Sequence, residues 1–159
     1  MYHKVLVIGG SRNIGYLSSI RLLDSGATVT FLLRKVEVFD GDETIQRYLE
    51  QGKARLVQGD ALIKDDVQRA WDEAAKGDDT PVDLLLFTVG IVGSPNATFD
   101  LRKGMLISPP NLVTQALLNV FETTPPSDPK FIAITSTGAT EESHRALPLL
   151  LRMVYGYLT

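Results

Sequence analysis

The sequence predicts an α/β fold, a doubly wound parallel sheet with strand order 3-2-1-4-5 and helices on both faces. Three observations carry that expectation. Short apolar runs of strand length alternate with segments of helical period along nearly the whole chain. The run at residues 82–89 is almost continuously apolar, as a strand covered on both faces should be. Right-handed crossovers between parallel strands then put helices on each side of the sheet. At 159 residues, 44% hydrophobic and 22% charged, the chain is expected to form one globular domain, residues 1–159. Collagen-like, disordered and disulfide-scaffold chains are excluded by the same composition.

Each element has its own signal. Lys4–Ile8 is a short apolar strand; Ile14, Leu17, Ile20 and Leu23 recur at helical spacing, and Gly26 stops that helix. Thr28–Leu33 is the second strand. Ile45, Tyr48 and Leu49 place a helix over residues 42–51, before a weaker third strand at 54–57. Val67, Ala70, Trp71, Ala74 and Ala75 form the clearest helical face, with Asp65 or Asp66 expected as its cap and Gly77 beyond its end. Residues 82–89, interrupted by Asp83, make a central fourth strand, and 131–134 reads as a fifth of the same buried kind. Between them Val113, Ala116, Leu117, Val120 and Phe121 repeat the helical template, bracketed by Pro109-Pro110 and Pro125-Pro126. Residues 90–108 carry neither period. They leave the carboxyl end of the fourth strand near the reversal in strand order, so a functional loop is expected there.

Charge and residue usage narrow the partners. A net charge of -3 from 16 basic and 19 acidic residues offers no footprint for nucleic acid. With no Cys there is no disulfide, thiolate metal site or cysteine nucleophile, which fits a reducing compartment; a cytoplasmic location is the expectation. The first apolar run is too short for a signal or a membrane span. His3 and His144, the only histidines, lie in no metal-ligand pattern, so no metal is expected. Ser136 with His144 lacks the G-x-S-x-G elbow of a hydrolase.

The strongest chemical signal is the turn Gly9-Gly10-Ser11-Arg12-Asn13-Ile14-Gly15 between the first strand and the first helix. Such a turn brings backbone amides and a helix dipole against a phosphate. Gly9 would permit the tight turn, and Gly15 would let the helix approach the strand and a pyrophosphate. The spacing Gly10 to Gly15 also fits part of a P-loop, but Tyr16 and Leu17 stand where lysine and a hydroxyl are required. The strict G-x-G-x-x-G fingerprint fails as well, because neither Arg12 nor Asn13 is glycine.

Together with Gly26-Ala-Thr-Val-Thr, Arg34 and Gly59-Asp60, this turn resembles the short-chain dehydrogenase/reductase superfamily, closest to its extended and atypical branches. The resemblance runs from Lys4 to about Gly138 and implies a Rossmann-like domain that binds NAD(P). It places Gly9, Gly10, Ser11, Arg12, Asn13, Ile14 and Gly15 at the diphosphate, Asp60 at the adenine amine with Ala61 beside the ring, and Thr88, Val89 and Gly90 along the ribose and nicotinamide. Arg34 and Lys35 end the second strand, about 19 residues after Gly15, where a carboxylate would bind the ribose of NAD(H). Cations there, with Arg12 in the turn, favour the 2′-phosphate of NADP(H), with NAD(H) as the alternative.

For a reaction, the resemblance implies a Ser or Thr that orients the substrate and a Tyr-x-x-x-Lys pair that moves the proton. Ser136, or Thr137 beside it, matches the hydroxyl. Tyr155 has Thr159 in the lysine slot, so it is a weak catalytic candidate and reads better as packing. The substrate stays unknown, as does the oligomeric state. An oxidoreductase-like protein is the first expectation; a non-catalytic redox-sensing module similar to NmrA-like regulators, or a truncated inactive reductase, is the alternative.

Overall fold

The computed structural model describes residues 2–90, 97–100, 104–107, 111–134, 141–146 and 148. The chain forms two compact units, residues 1–89 with 113–133 and residues 90–112 with 134–159.

The first unit holds five parallel strands: β1 (Lys4–Ile8), β2 (Thr28–Leu33), β3 (Ala54–Gln58), β4 (Leu84–Phe87) and β7 (Lys130–Ala133), in the order β3-β2-β1-β4-β7. That is the expected 3-2-1-4-5 order. Four helices connect them: α1 (Asn13–Asp24), α2 (Glu43–Glu50), α3 (Lys64–Ala75) and α4 (Leu112–Thr123), with a 3₁₀ turn at Val36–Phe39 before α2.

Successive strand residues point to opposite faces, and each face has its own core. Val5, Val7, Val29, Phe31, Leu33, Leu84 and Leu86 pack with Leu23 of α1 and Ile45 and Tyr48 of α2. Leu6, Ile8, Leu32, Val57, Leu85 and Phe87 pack with Val67, Ala70, Trp71 and Ala74 of α3 and with Ala116 and Val120 of α4. Each fully buried apolar side chain contributes about 1.5–3 kcal/mol to this sandwich.

Polar residues inside the sequence pattern have structural work. Asp83, which breaks the run at 82–89, lies before β4 and accepts from the His3 and Lys4 amides at 2.8 and 3.2 Å, anchoring the start of β1. Lys4 is buried, and its ammonium donates to the carbonyls of Ala75 and Asp78, each at 2.8 Å, and pairs with the Asp78 carboxylate.

Four expectations need correction. In α1 the buried row is Gly15, Ser19 and Leu23, while Ile14 and Leu17 are 55% and 61% exposed. Close approach to the sheet selects small residues on that face, so the hydrophobic pattern points partly the wrong way. Neither Asp65 nor Asp66 caps α3: the N-cap is Ile63, and both acids sit inside the first turn. The fifth strand, β7, is exposed along most of its length, with Ile132 39% exposed, because it lies at the sheet edge. In α4, Phe121 is 55% exposed and stacks on Phe131 at 5.1 Å between ring centroids.

The second unit contains an antiparallel pair, β5 (Ala97–Asp100) and β6 (Gly104–Ile107), with Ala97 beside Ile107 and Asp100 beside Gly104. A six-residue helix, α5 (Glu141–Ala146), follows later in the chain. The stretch 90–108, expected to lack strands, therefore contains two of four residues each. Runs that short cannot display a period of two convincingly.

Candidate functional site

Parallel pairing brings the carboxyl ends of four strands level. Ile8 lies beside Leu32 and Phe87, and Leu32 beside Val57. The four segments singled out in the sequence, residues 9–15, 34–35, 60–61 and 88–89, all follow these ends. They flank the point between β1 and β4 where the strand order reverses, the place where open α/β sheets bind ligands.

The turn after β1 is built by close packing. Gly9 has φ +90°, and a Cβ there would lie 2.7 Å from the backbone of Thr88 and Val89. A Cβ on Gly10 would meet Val7 Cγ1 at 2.7 Å and Phe31 Cδ1 at 2.8 Å, so this glycine serves the core. On Gly15 it would strike Thr88 Oγ1 and approach the Gly9 carbonyl to 2.6 Å, so α1 nests directly on the turn. Thr88 Oγ1 donates to that carbonyl at 2.9 Å and ties the end of β4 to the turn.

Asn13 takes a backbone conformation that favours glycine. Its φ is +52°, and Asn is among the residues that enter the left-handed region most readily. The helix that follows opens without a side-chain cap at Arg12 and without an acidic residue in its first turn. Its leading N–H groups and positive dipole end are therefore served by no carboxylate of their own helix. This arrangement, a cradle that Cβ atoms would fill below a helix start with no acid, fits a phosphate.

Electrostatics around the turn agree with an anion. Arg34 and Lys35 follow β2 and are exposed, as are Arg12, Asn13 and Ile14. Tyr16 is held by Asp42, whose carboxylate accepts its phenol hydrogen; that bond, with burial, pushes the phenol up to about 12. The ring thus stays neutral near pH 7 and links α1 to the start of α2.

The third segment is a hydrogen-bonded loop. Gly59 N donates to Leu33 O at 2.8 Å, Asp60 N to Asp66 Oδ2 at 2.8 Å, and Leu62 N to Asp60 Oδ1 at 3.0 Å. Gly59 makes room for Asp66, whose Cβ would lie 2.8 Å from an added methyl. The Asp60 N–H, and after it the Arg69 guanidinium, hold the Asp66 carboxyl below the usual carboxylate range. One oxygen of Asp60 is thus engaged within its own loop. Ala61 is partly buried, and its carbonyl accepts from Asn119 Nδ2 of α4 at 2.9 Å. Asn119 escaped the sequence reading; the available signal was a polar residue inside the apolar stripe Ala116, Leu117, Val120.

Gly90 is exposed and belongs to the second unit. Ser136, Thr137 and Tyr155 lie outside the described residues. The open groove lined by Leu56, Val57, Gln58, Arg69, Asp72, Glu73 and Lys76 includes none of residues 9–15, 34–35, 60–61 and 88–89. Among the described residues no helix is long and apolar enough to cross a membrane.

No family model and no curated protein sequence matches the chain. Solved structures do. An NADH-dependent reductase, A1-R′, complexed with NAD is similar with a TM-score of 0.66 at 17% identity, over 88% of this chain and 62% of that one. A short-chain dehydrogenase from Burkholderia cenocepacia J2315 in complex with NADP gives 0.64 at 22% identity, over 87% and 57%. The NADPH-bound short-chain oxidoreductase from Pseudomonas aeruginosa PAO1, which contains an atypical catalytic center, gives 0.65 at 21% identity, over 89% and 58%. The chain has the Rossmann-like fold of the short-chain dehydrogenase/reductases and spans little more than half the length of these structures.

Proposed function

We propose that the chain is the dinucleotide-binding part of a short-chain dehydrogenase/reductase and that it binds NADP(H) in preference to NAD(H). The observation that carries this reading is the start of α1, where a left-handed Asn13 and close-packed glycines present first-turn amides with neither a side-chain cap nor an acid. Residues 9–15 would hold the diphosphate, Asp60 and Ala61 the adenine, and Thr88 and Val89 the far ribose. Ile14, an exposed apolar side chain beside the turn, would be covered by the cofactor. Arg34 and Lys35, with Arg12, would meet the 2′-phosphate, since guanidinium forks match phosphate oxygens. When bound, the cofactor supplies the hydride chemistry; Ser136 or Thr137 is the hydroxyl proposed to orient the substrate. The proposed location is the cytoplasm, in keeping with a chain of no cysteines.

Titration with NADPH and NADH tests the reading. NADPH should bind more tightly, and Arg34→Ala should weaken NADPH by about tenfold, the cost of one charge-assisted phosphate contact, while NADH changes less than twofold. Equal weakening of both would overturn the 2′-phosphate assignment, and no binding of either would overturn the whole proposal. Consumption of NADPH against aldehydes, ketones and quinones then separates a reductase from a protein that uses the same site as a redox sensor.

A further inference from the structure

We infer that Asn119 of α4 is the positioning residue for the adenine end of the cleft, an inference that rests on the cofactor reading for the ligand but not for the loop. Asn119 is buried, 5% exposed, on a helix face it shares with Ala116, Val120 and Thr123. Asparagine is a mediocre helix former, and burying its amide is costly unless both ends are satisfied. Both ends are satisfied here. Nδ2 donates to the Ala61 carbonyl at 2.9 Å, and Oδ1 accepts from Gln115 Nε2 at 3.1 Å. A carbonyl can only accept, which fixes the amide with its nitrogen toward Ala61.

The rest of the loop is tied to its own neighbourhood. Gly59 N reaches Leu33, Asp60 N reaches Asp66, and Leu62 N and Ile63 N both return to Asp60. Of these hydrogen bonds only the one to the Ala61 carbonyl comes from α4, 58 positions along the chain, beside the apolar packing of Ala61 and Leu62 against the core that holds Ala116 and Val120. A second tie follows at once, Lys64 to Glu122 at 2.9 Å, but it is exposed and contributes little. Asn119 is therefore the polar tie that, with that packing, sets how far residues 60–62 stand from α4, and with that the room an adenine ring would have beside them.

Amide hydrogen exchange of the free protein, paired with calorimetry using adenosine 2′,5′-bisphosphate, tests this. Asn119→Leu keeps the branching and the number of side-chain heavy atoms and removes the donor. Exchange at residues 60–63 should quicken about tenfold, the effect of one orphaned buried carbonyl, with residues 9–15 unchanged, and bisphosphate affinity should fall about tenfold. A general loss of stability would instead quicken exchange throughout. Wild-type exchange at 60–63 in Asn119→Leu, or undiminished bisphosphate affinity, would overturn the inference. A wild-type protein that ignores the bisphosphate would overturn the cofactor reading, and the exchange would still decide Asn119. Should Asn119→Leu fail to fold, Gln115→Ala carries the test: exchange at 60–63 about twofold faster supports the inference, and unchanged exchange overturns it.

Discussion

Helices α1 and α2 pack on the same face of the sheet and begin in opposite ways. At α2, Asp42 accepts from Ile45 N at 3.0 Å and Glu43 occupies the first turn, so this helix meets the demands of its own amino end. At α1 the cap position is Arg12, whose side chain caps nothing, and the first turn has no acid. Two helices of one protein thus show a start capped by its own side chains and a start without such a cap, the one proposed to take the anion. The difference lies in a few side chains, since the backbone donors are the same in kind.

The contrast breaks most completely at Gly9. Gly9→Ala would force an L-residue to a φ of +90° and set a methyl 2.7 Å from the Thr88 backbone. A loss of about 3 kcal/mol or more is expected, with NADPH binding lost alongside, and thermal unfolding checks it directly. A smaller effect comes from making α2 resemble α1. Asp42→Ala removes the cap and should cost about 1 kcal/mol without changing NADPH affinity.

The same variant has a pH signature. The Tyr16 phenol is raised from 10.0 to about 12 in the folded protein, so the stability its bond to Asp42 confers is complete below pH 10 and declines as pH rises toward 12. Tyr16 and Tyr48, each bonded to a carboxylate, should titrate late in the wild type by ultraviolet absorbance, and Asp42→Ala should return only Tyr16 to the ordinary range. The mildest change sharpens the comparison: Asn13→Gly substitutes the residue best suited to φ +52° and should alter stability by less than about 1 kcal/mol, measured by urea unfolding.

Much of this was legible from residue order. Lys4–Ile8 and Thr28–Leu33 are read to the residue, because clean apolar runs end at glycine or at a charge. The glycine turn and the Arg34-Lys35 step sit at the strand ends the spacing demands. What sequence hid was set by neighbours distant along the chain. The buried row of α1 opens with two small residues, Gly15 and Ser19, before Leu23, because Gly15 must seat against Thr88. Asp66 looks like a helix cap, yet it serves the Asp60 amide six positions earlier. Asn119 looks like a flaw in an amphipathic stripe until Ala61 is placed opposite it. Asn13 carries the conformation expected of a glycine, which no glycine count reveals.

The buried ammonium of Lys4 bears on the order of events during synthesis. The strand that carries it is synthesised before both strands that flank it, and it ends in the middle of the sheet, hydrogen-bonded to β2 on one side and β4 on the other. Its charge is matched only when Ala75 and Asp78 arrive, and its second edge closes only with Phe87. A nascent chain released before that point should hold a central strand without its flank, sticky and open to protease, so productive folding waits for the β4 segment to clear the exit tunnel.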